Sequence, residues 1–448
     1  MGRCMMNDRV PVTLLAASLV LMASGSLRDL VTPLGYWAAW GAWAAVSLLV
    51  AYRRGRAAPG LPVWVVGSCA VLWLGMIVAA VMNRDWATAY QAMKIAVIAG
   101  MFVAMWRLVA RLDGRQLVAA ADWAVGVVLL GLTLSKIWSP AGQALLAGPR
   151  EGSFLAVYGV LWKAGAFFLP VFLAEAIENP AAWLRTGLRI AACIFLVLID
   201  GSRTGLLLLG AIVVSFLAFV VWRGGWSLAR RQLRWAGAAF ALLLVLQLLN
   251  TGANLAVTGK LWAADAAVGS PSSGSVAMAQ SSTAQSAAMP PAAAQPATAP
   301  PARVLEGALN RTFETRIGAG DPARIKLLRA SLDHVGECLP LGCGFGAMGT
   351  DIGTGWMVVH NAYLAALGDF GVLGLAGMLG FLVAAWLPVW QVLRRRAAGR
   401  NDCFVVAAAG SALAYGMALM LNTFTTEMSE WGYLIVMLAF AWAPAGDV

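Results

Sequence analysis

Long apolar runs separated by short polar stretches fill the chain from about residue 10 to 256, and again from 370 to 445. A helix rises about 1.5 Å per residue, so about 20 apolar residues match the hydrocarbon layer of a bilayer. The pattern predicts twelve spans, over 10–27, 34–52, 61–82, 88–108, 117–138, 154–177, 187–201, 204–222, 235–256, 370–393, 403–421 and 431–445. Spans one to nine occupy 1–256, one long loop covers 257–359, and 360–448 holds an interfacial helix followed by spans ten to twelve. Within the loop, 268–302 has no charge and is dominated by Ala, Ser, Gln and Pro. It has little to bury and is read as a disordered insertion.

Two shorter patterns stand out near the end of that loop. "GDPARIKLLRASLDHVGE" predicts a helix over 321–336, with Asp321 as N-cap, Pro322 at the first helical position and Gly336 at the stop. Ile325, Leu328, Leu332 and Val335 share one face, which is expected to rest on the protein or on the membrane surface. "HNAYLAAL" puts His360, Tyr363, Leu364 and Leu367 at helical spacing and predicts a short helix at the interface. Asn361 suits its hydrogen-bonded start and Tyr363 suits the membrane boundary.

Composition sharpens this into a class. The chain is 60% hydrophobic and 12% charged, with a mean hydropathy of +0.76. Soluble domains carry about 25% charged residues. The expected fold is an all-α polytopic membrane protein. The net charge of +11 sits in short loops between apolar runs, which points to membrane orientation rather than to a partner of opposite charge. With the N-terminus in the cytoplasm, eighteen arginines fall in cytoplasmic loops against five cations in short outer ones. Both termini are then cytoplasmic, and the long loop faces outward. Cations that alternate across a membrane without interleaved outer aromatics exclude a nucleic-acid surface. The first apolar run lacks a small-residue cleavage site and is expected to stay as a helix.

Charged residues that the pattern places at the membrane are the candidates for chemistry. Arg324 falls in the first turn of the 321–336 helix, where the backbone already attracts anions, so a docked anion would explain it. Arg203, in "IDGSRTGLL", is pinned in a tight turn at the membrane edge, either lining a pocket or reaching lipid phosphates. His360 is either a buried structural histidine or a proton carrier, and alone it cannot build a metal site. Lys94 and Lys163 lie inside predicted spans, either as functional groups or reaching an interface. Glu427 and Glu430 are the outer carboxylates available to position an acceptor, or else to satisfy nearby arginines. Of six cysteines, Cys338 and Cys343 in "CLPLGC" are on the outer side, as a small disulfide or as two free thiols. The glycine-rich "GCGFGAMG" lacks the Gly-Lys-Ser/Thr ending of a phosphate loop.

"SRTG" at 202–205, the arginine-led helix, "PLGCGFG" at 340–346 and "HNAYLAALGDFGVLGL" at 360–375 occur in this order around one long outer loop. Together they resemble the O-antigen ligase and polymerase superfamily of bacterial envelope glycosyltransferases. The resemblance covers about 187 to 393, and Asp369 departs from it where the family has Glu. It implies a GT-C-like helical plan and a metal-independent glycosyltransferase without a cofactor, working on the periplasmic side of the inner membrane. The implied partners are an undecaprenyl-pyrophosphate-linked glycan donor, lipid A–core or a growing glycan as acceptor, and membrane lipids. The resemblance puts catalytic roles on His360, Arg324 and Arg203. Arg150, Arg316, Asn361 and Tyr363 are expected to bind substrate. Ligation to lipid A–core is favoured over polymerisation. A transporter of lipid-linked glycan, with Lys94 and Lys163 as relay groups, is the alternative from another class.

Overall fold

The protein is described by a computed structural model that covers residues 9–23, 31–53, 60–109, 112–138, 161–200, 202, 204–222, 245, 322–351, 356–395 and 402–443. Its helices are α1 (Arg9–Ala23), α2 (Pro33–Arg53), α3 (Val63–Asn83), α4 (Trp86–Val109), α5 (Gly114–Trp138), α6 (Leu161–Glu178), α7 (Trp183–Asp200), α8 (Thr204–Trp222), α9 (Pro322–Val335), α10 (Ala362–Arg394), α11 (Asp402–Ala418) and α12 (Met428–Ala441). A two-stranded antiparallel ribbon, β1 (Gly349–Asp351) and β2 (Trp356–Val358), pairs Gly349 with Val358.

The chain is a multi-pass, all-α membrane protein. Among the described residues, eight helical segments are long and apolar enough to cross a bilayer: those of α2, α3, α4, α5, α7, α8, α10 and α11. Twelve were expected. Of the other four predicted spans, α1 and α12 are shorter apolar helices and α6 carries Lys163, Glu175 and Glu178. The fourth, 235–256, lies outside the described residues apart from residue 245, and the 268–302 insertion lies outside them entirely.

Lipid solvation decides the packing. Leu, Val and Trp face outward, so helix contacts must come from close backbone approach and from buried polar pairs. α3 and α10 show the first device. A side chain on Gly377 would press on Leu72 Cβ at 2.6 Å, and one on Gly75 on the Gly374 nitrogen at 2.8 Å. Glycine at both positions lets these antiparallel helices touch. α11 in turn packs on α6, α10 and α12, and α12 on α4, which gathers the centre of the bundle around α11 and α12.

α10 is two helices. Gly371 has φ +71° and ψ −163°, which splits the segment into 362–370 and 372–394. The second piece is the span expected at 370–393, and the first is the short helix expected near the interface. The sequence reading extended that helix to His360. Instead Asn361 is the N-cap, accepting from the Tyr363 and Leu364 backbone N–H at 3.1 and 3.0 Å, and His360 stands just before it.

A break at this depth frees backbone groups that cannot be left unpaired. The segment 340–346 supplies their partners. The N–H groups of Cys343 and Gly344 donate to the carbonyls of Gly368 and Asp369, both at 2.9 Å, and the Val372 N–H donates to the Pro340 carbonyl at 3.0 Å. The buried Asp369 carboxylate accepts from the Gly346 and Met348 N–H at 3.0 and 3.1 Å. "PLGCGFG" is therefore a clamp on a broken helix. Asn83 ties it to α3 by donating to the Gly342 carbonyl at 2.9 Å. The Phe345 N–H donates to Thr88 Oγ1 at 2.6 Å, and Thr88 in turn donates to Asp85. Burial alone would push the Asp85 pKa up. The Thr88 hydroxyl and the N–H groups of Ala87, Thr88 and Phe345 more than reverse that, so it lies below the usual carboxylate range.

Cys338 and Cys343 are joined as a disulfide that closes the base of this clamp. A loop this short removes little chain entropy, about 2 kcal/mol. The double variant Cys338→Ala/Cys343→Ala is expected to lose about that much stability and to remain inserted. Thermal unfolding in detergent, with and without reductant, checks this: the wild type should approach the variant only when reduced.

Candidate functional site

At the bundle end where α3 passes into α4, polar side chains lie inside what should be apolar. α4 carries Lys94, and the first turn of α6 carries Lys163; both are buried. Neither stands alone. Lys94 pairs with Glu427 at 3.4 Å and lies over the rings of Trp37 and Tyr90, at 5.4 and 4.9 Å. Lys163 pairs with Glu430. The other oxygen of Glu430 accepts from the hydroxyls of Tyr415, at 3.2 Å, and Thr425. Thr426 is hydrogen-bonded to Gln91.

The geometry follows from the chain. Residues 422–427, between α11 and α12, form no helix. The Trp431 indole donates to the Thr425 carbonyl at 2.7 Å, and Phe424 packs edge-on to Phe370. This stretch thus enters the bundle beside the first piece of α10 and brings Glu427, and Glu430 in the first turn of α12, onto the lysines. A lysine buried alone in a membrane costs several kcal/mol, and the paired carboxylate offsets that cost. The two lysines are therefore ion-paired rather than reaching an interface, and among the described residues Glu427 pairs with Lys94 and Glu430 with Lys163.

His360 belongs to the same end. Its Nδ1 is buried. The preceding residue, Val359, is buried and donates its N–H to the Met348 carbonyl at 2.8 Å. Ser331 of α9 approaches the same carbonyl at 3.4 Å. α9 is therefore docked beside the segment that leads from β2 to His360. Arg324 lies two turns earlier on α9, about 10 Å along its axis, and is exposed.

The apolar stripe of α9 is expected on the protein or on the membrane surface, and most of it is not the face that meets protein. Ile325, Leu328 and Leu332 are 51%, 38% and 54% exposed, whereas Leu327 and Ser331 are buried. The small Ser331, bonded to the Leu327 carbonyl at 2.8 Å, permits the close approach to Met348; Ile325, Leu328 and Leu332 look away from the protein, while Val335 of the same stripe packs against the core.

Asn361 and Tyr363, expected to bind substrate, both have internal partners. Asn361 caps the helix, and the buried Tyr363 hydroxyl donates to the Gly416 carbonyl at 2.7 Å. Arg203, Arg150 and Arg316 lie outside the described residues. His334, Cys338 and Cys343 form the only cluster of three potential metal ligands among the described residues, but its two sulfurs are bonded to each other. His334 also bonds Glu337 at 2.6 Å.

Tyr415, Thr425 and Gln91 were not singled out from the sequence. A tyrosine in the apolar run 403–421 and adjacent threonines beside two glutamates are the signals that could have marked them. At the opposite bundle end, buried Arg189 pairs with Asp122 and Glu175, and Arg185 reaches Asp122 at 3.1 Å. That network joins α5, α6 and α7. No family model matches the chain, and no curated protein matches it.

Proposed function

We infer that the protein transfers a glycan from undecaprenyl pyrophosphate to an acceptor hydroxyl at the periplasmic face of a bacterial inner membrane, as O-antigen ligases do onto lipid A–core. One arrangement supports this: His360 stands just before a broken apolar helix, and the Arg324-bearing helix docks on the same backbone carbonyl as the segment that leads to His360. A lipid-linked diphosphate presents its reacting bond at just such a depth. On the positive-inside assignment this end of the bundle is periplasmic.

The acceptor oxygen attacks the anomeric carbon and its proton passes to the His360 imidazole. The new carbon–oxygen bond forms as the bond from sugar to phosphate oxygen breaks. The leaving electron pair stays on the diphosphate, where charge grows. Guanidinium groups meet such charge with forked hydrogen bonds, and this is the role of Arg324 and Arg203. Donors placed on charge that develops in the transition state are each worth roughly 3–4 kcal/mol.

The buried lysine–glutamate pairs favour a second reading, a transporter with an intramembrane relay. Purified protein in liposomes, given a defined undecaprenyl pyrophosphate glycan with lipid A–core or a second glycan carrier as acceptor, separates the two. Product on lipid A–core is expected. Lengthened carrier-linked chains mean a polymerase, and translocation without transfer means a transporter.

A further inference from the structure

Four helices meet in one continuous chain of contacts that ends beside His360. It starts at Lys163 in the first turn of α6, which pairs with Glu430 in the first turn of α12. Glu430 accepts from the Tyr415 hydroxyl of α11 at 3.2 Å. The next residue, Gly416, offers its carbonyl to the Tyr363 hydroxyl at 2.7 Å. Tyr363 is the second residue of the α10 piece that Asn361 caps, three residues after His360.

Every link is protected. Lys163, Tyr363, Tyr415 and Gly416 are all buried. Phe167, one turn beyond Lys163, holds the Tyr415 ring at 5.0 Å and the Tyr433 ring at 5.2 Å. The Phe167 carbonyl also accepts from Ser411 of α11 at 3.0 Å. A side chain at position 416 would overlap Leu382 and reach the Tyr363 hydroxyl. Glu430 receives three donors from three places, so its carboxylate has one position. Water, which could loosen such a chain, is excluded along most of its length.

What these groups share is the start of the short helix. If the Tyr363 hydroxyl loses its bond to Gly416, the Asn361-capped start of the 362–370 piece loses a polar anchor, while the far end stays held by the glycine-rich clamp and by Phe370 against Phe345 and Phe424. A histidine one residue before that cap then changes place.

We propose that Lys163, Glu430, Tyr415 and Tyr363 are positioning residues for His360, a single mechanical unit that sets where the imidazole stands. The proposal rests on the transfer reaction only for its catalytic consequence. Its geometric content is independent of it.

The chain has two histidines, His334 and His360, so ring resonances of histidine-labelled, full-length protein in nanodiscs report both, with His334 as internal reference. The variants are Tyr363→Phe and Glu430→Gln, each near-isosteric, with His360→Gln to assign the signal. Both variants should move the His360 resonance in the same direction and leave His334 unmoved. In the transfer assay each should lower kcat on the order of 10-fold at unchanged donor KM. The double variant should be no worse than either single one, instead of the ~100-fold that independent sites would give. An unmoved His360 resonance in Tyr363→Phe overturns the proposal, and so do multiplicative losses. Tyr363→Phe decides the matter alone if Glu430→Gln fails to insert. A shifted resonance in a protein with no transfer activity would leave the positioning chain standing and remove the glycosyltransferase reading.

Discussion

Gly371→Ala is expected to be among the most damaging single substitutions in the chain. At φ +71° and ψ −163° the backbone is in a region open essentially to glycine alone, which costs another residue about 1–3 kcal/mol. The added carbon would also overlap the Pro340 carbonyl oxygen and crowd Leu341. That carbonyl accepts from Val372, so relief of the clash breaks a buried hydrogen bond at the helix break. The combined loss should be on the order of 3–5 kcal/mol. Gly126→Ala in α5 is the matched control, since its new carbon meets nothing within 4 Å. That change should be neutral or stabilise by up to about 1 kcal/mol. Thermal unfolding of both variants in the same detergent checks the pair. Equal melting temperatures would mean that the 340–346 clamp does not hold α10.

The second large effect concerns activity without stability. His360→Ala and Arg324→Ala should each abolish glycan transfer while membrane insertion stays normal. Removal of a general base costs roughly 100- to 10,000-fold, and loss of one donor on the leaving diphosphate roughly 100- to 1,000-fold. Arg324 is exposed on α9 and His360 is only partly buried, so neither truncation empties the hydrophobic core. Glycan profiles of cells that carry each variant, with membrane-fraction protein levels alongside, give the comparison. Near-normal profiles from both would remove these residues from the reaction.

The membrane-crossing helices were legible because lipid demands apolar side chains all round, a requirement each segment meets by itself. Even the break in α10 left a trace: the apolar run was placed from 370 and the short helix before it, with Gly371 at the joint. What holds the joint was not legible. The clamp depends on N–H groups of Cys343, Gly344, Gly346 and Met348 meeting residues 368–369, a pairing over some twenty positions with no local periodicity.

The buried lysines show the same division. The cost of burying Lys94 and Lys163 could be read directly, so a partner was required. Which carboxylate supplied it depended on how 422–427 enters the bundle. α9 shows a different division: its apolar stripe is expected on the protein or on the membrane surface, and the contact with protein goes to the side where Ser331 allows close approach. Hydrophobicity identifies a face that avoids water, and in a membrane protein that need not be the face that meets protein.

The most direct measurement is side-specific transfer in sealed proteoliposomes of known orientation. A defined undecaprenyl pyrophosphate glycan and lipid A–core are supplied to the leaflet that holds the His360 end, with wild type and His360→Ala compared at equal incorporation. The account predicts product from the wild type at that leaflet and a loss of roughly 100-fold or more in the variant. Comparable product from His360→Ala, or transfer confined to the opposite leaflet, would contradict it.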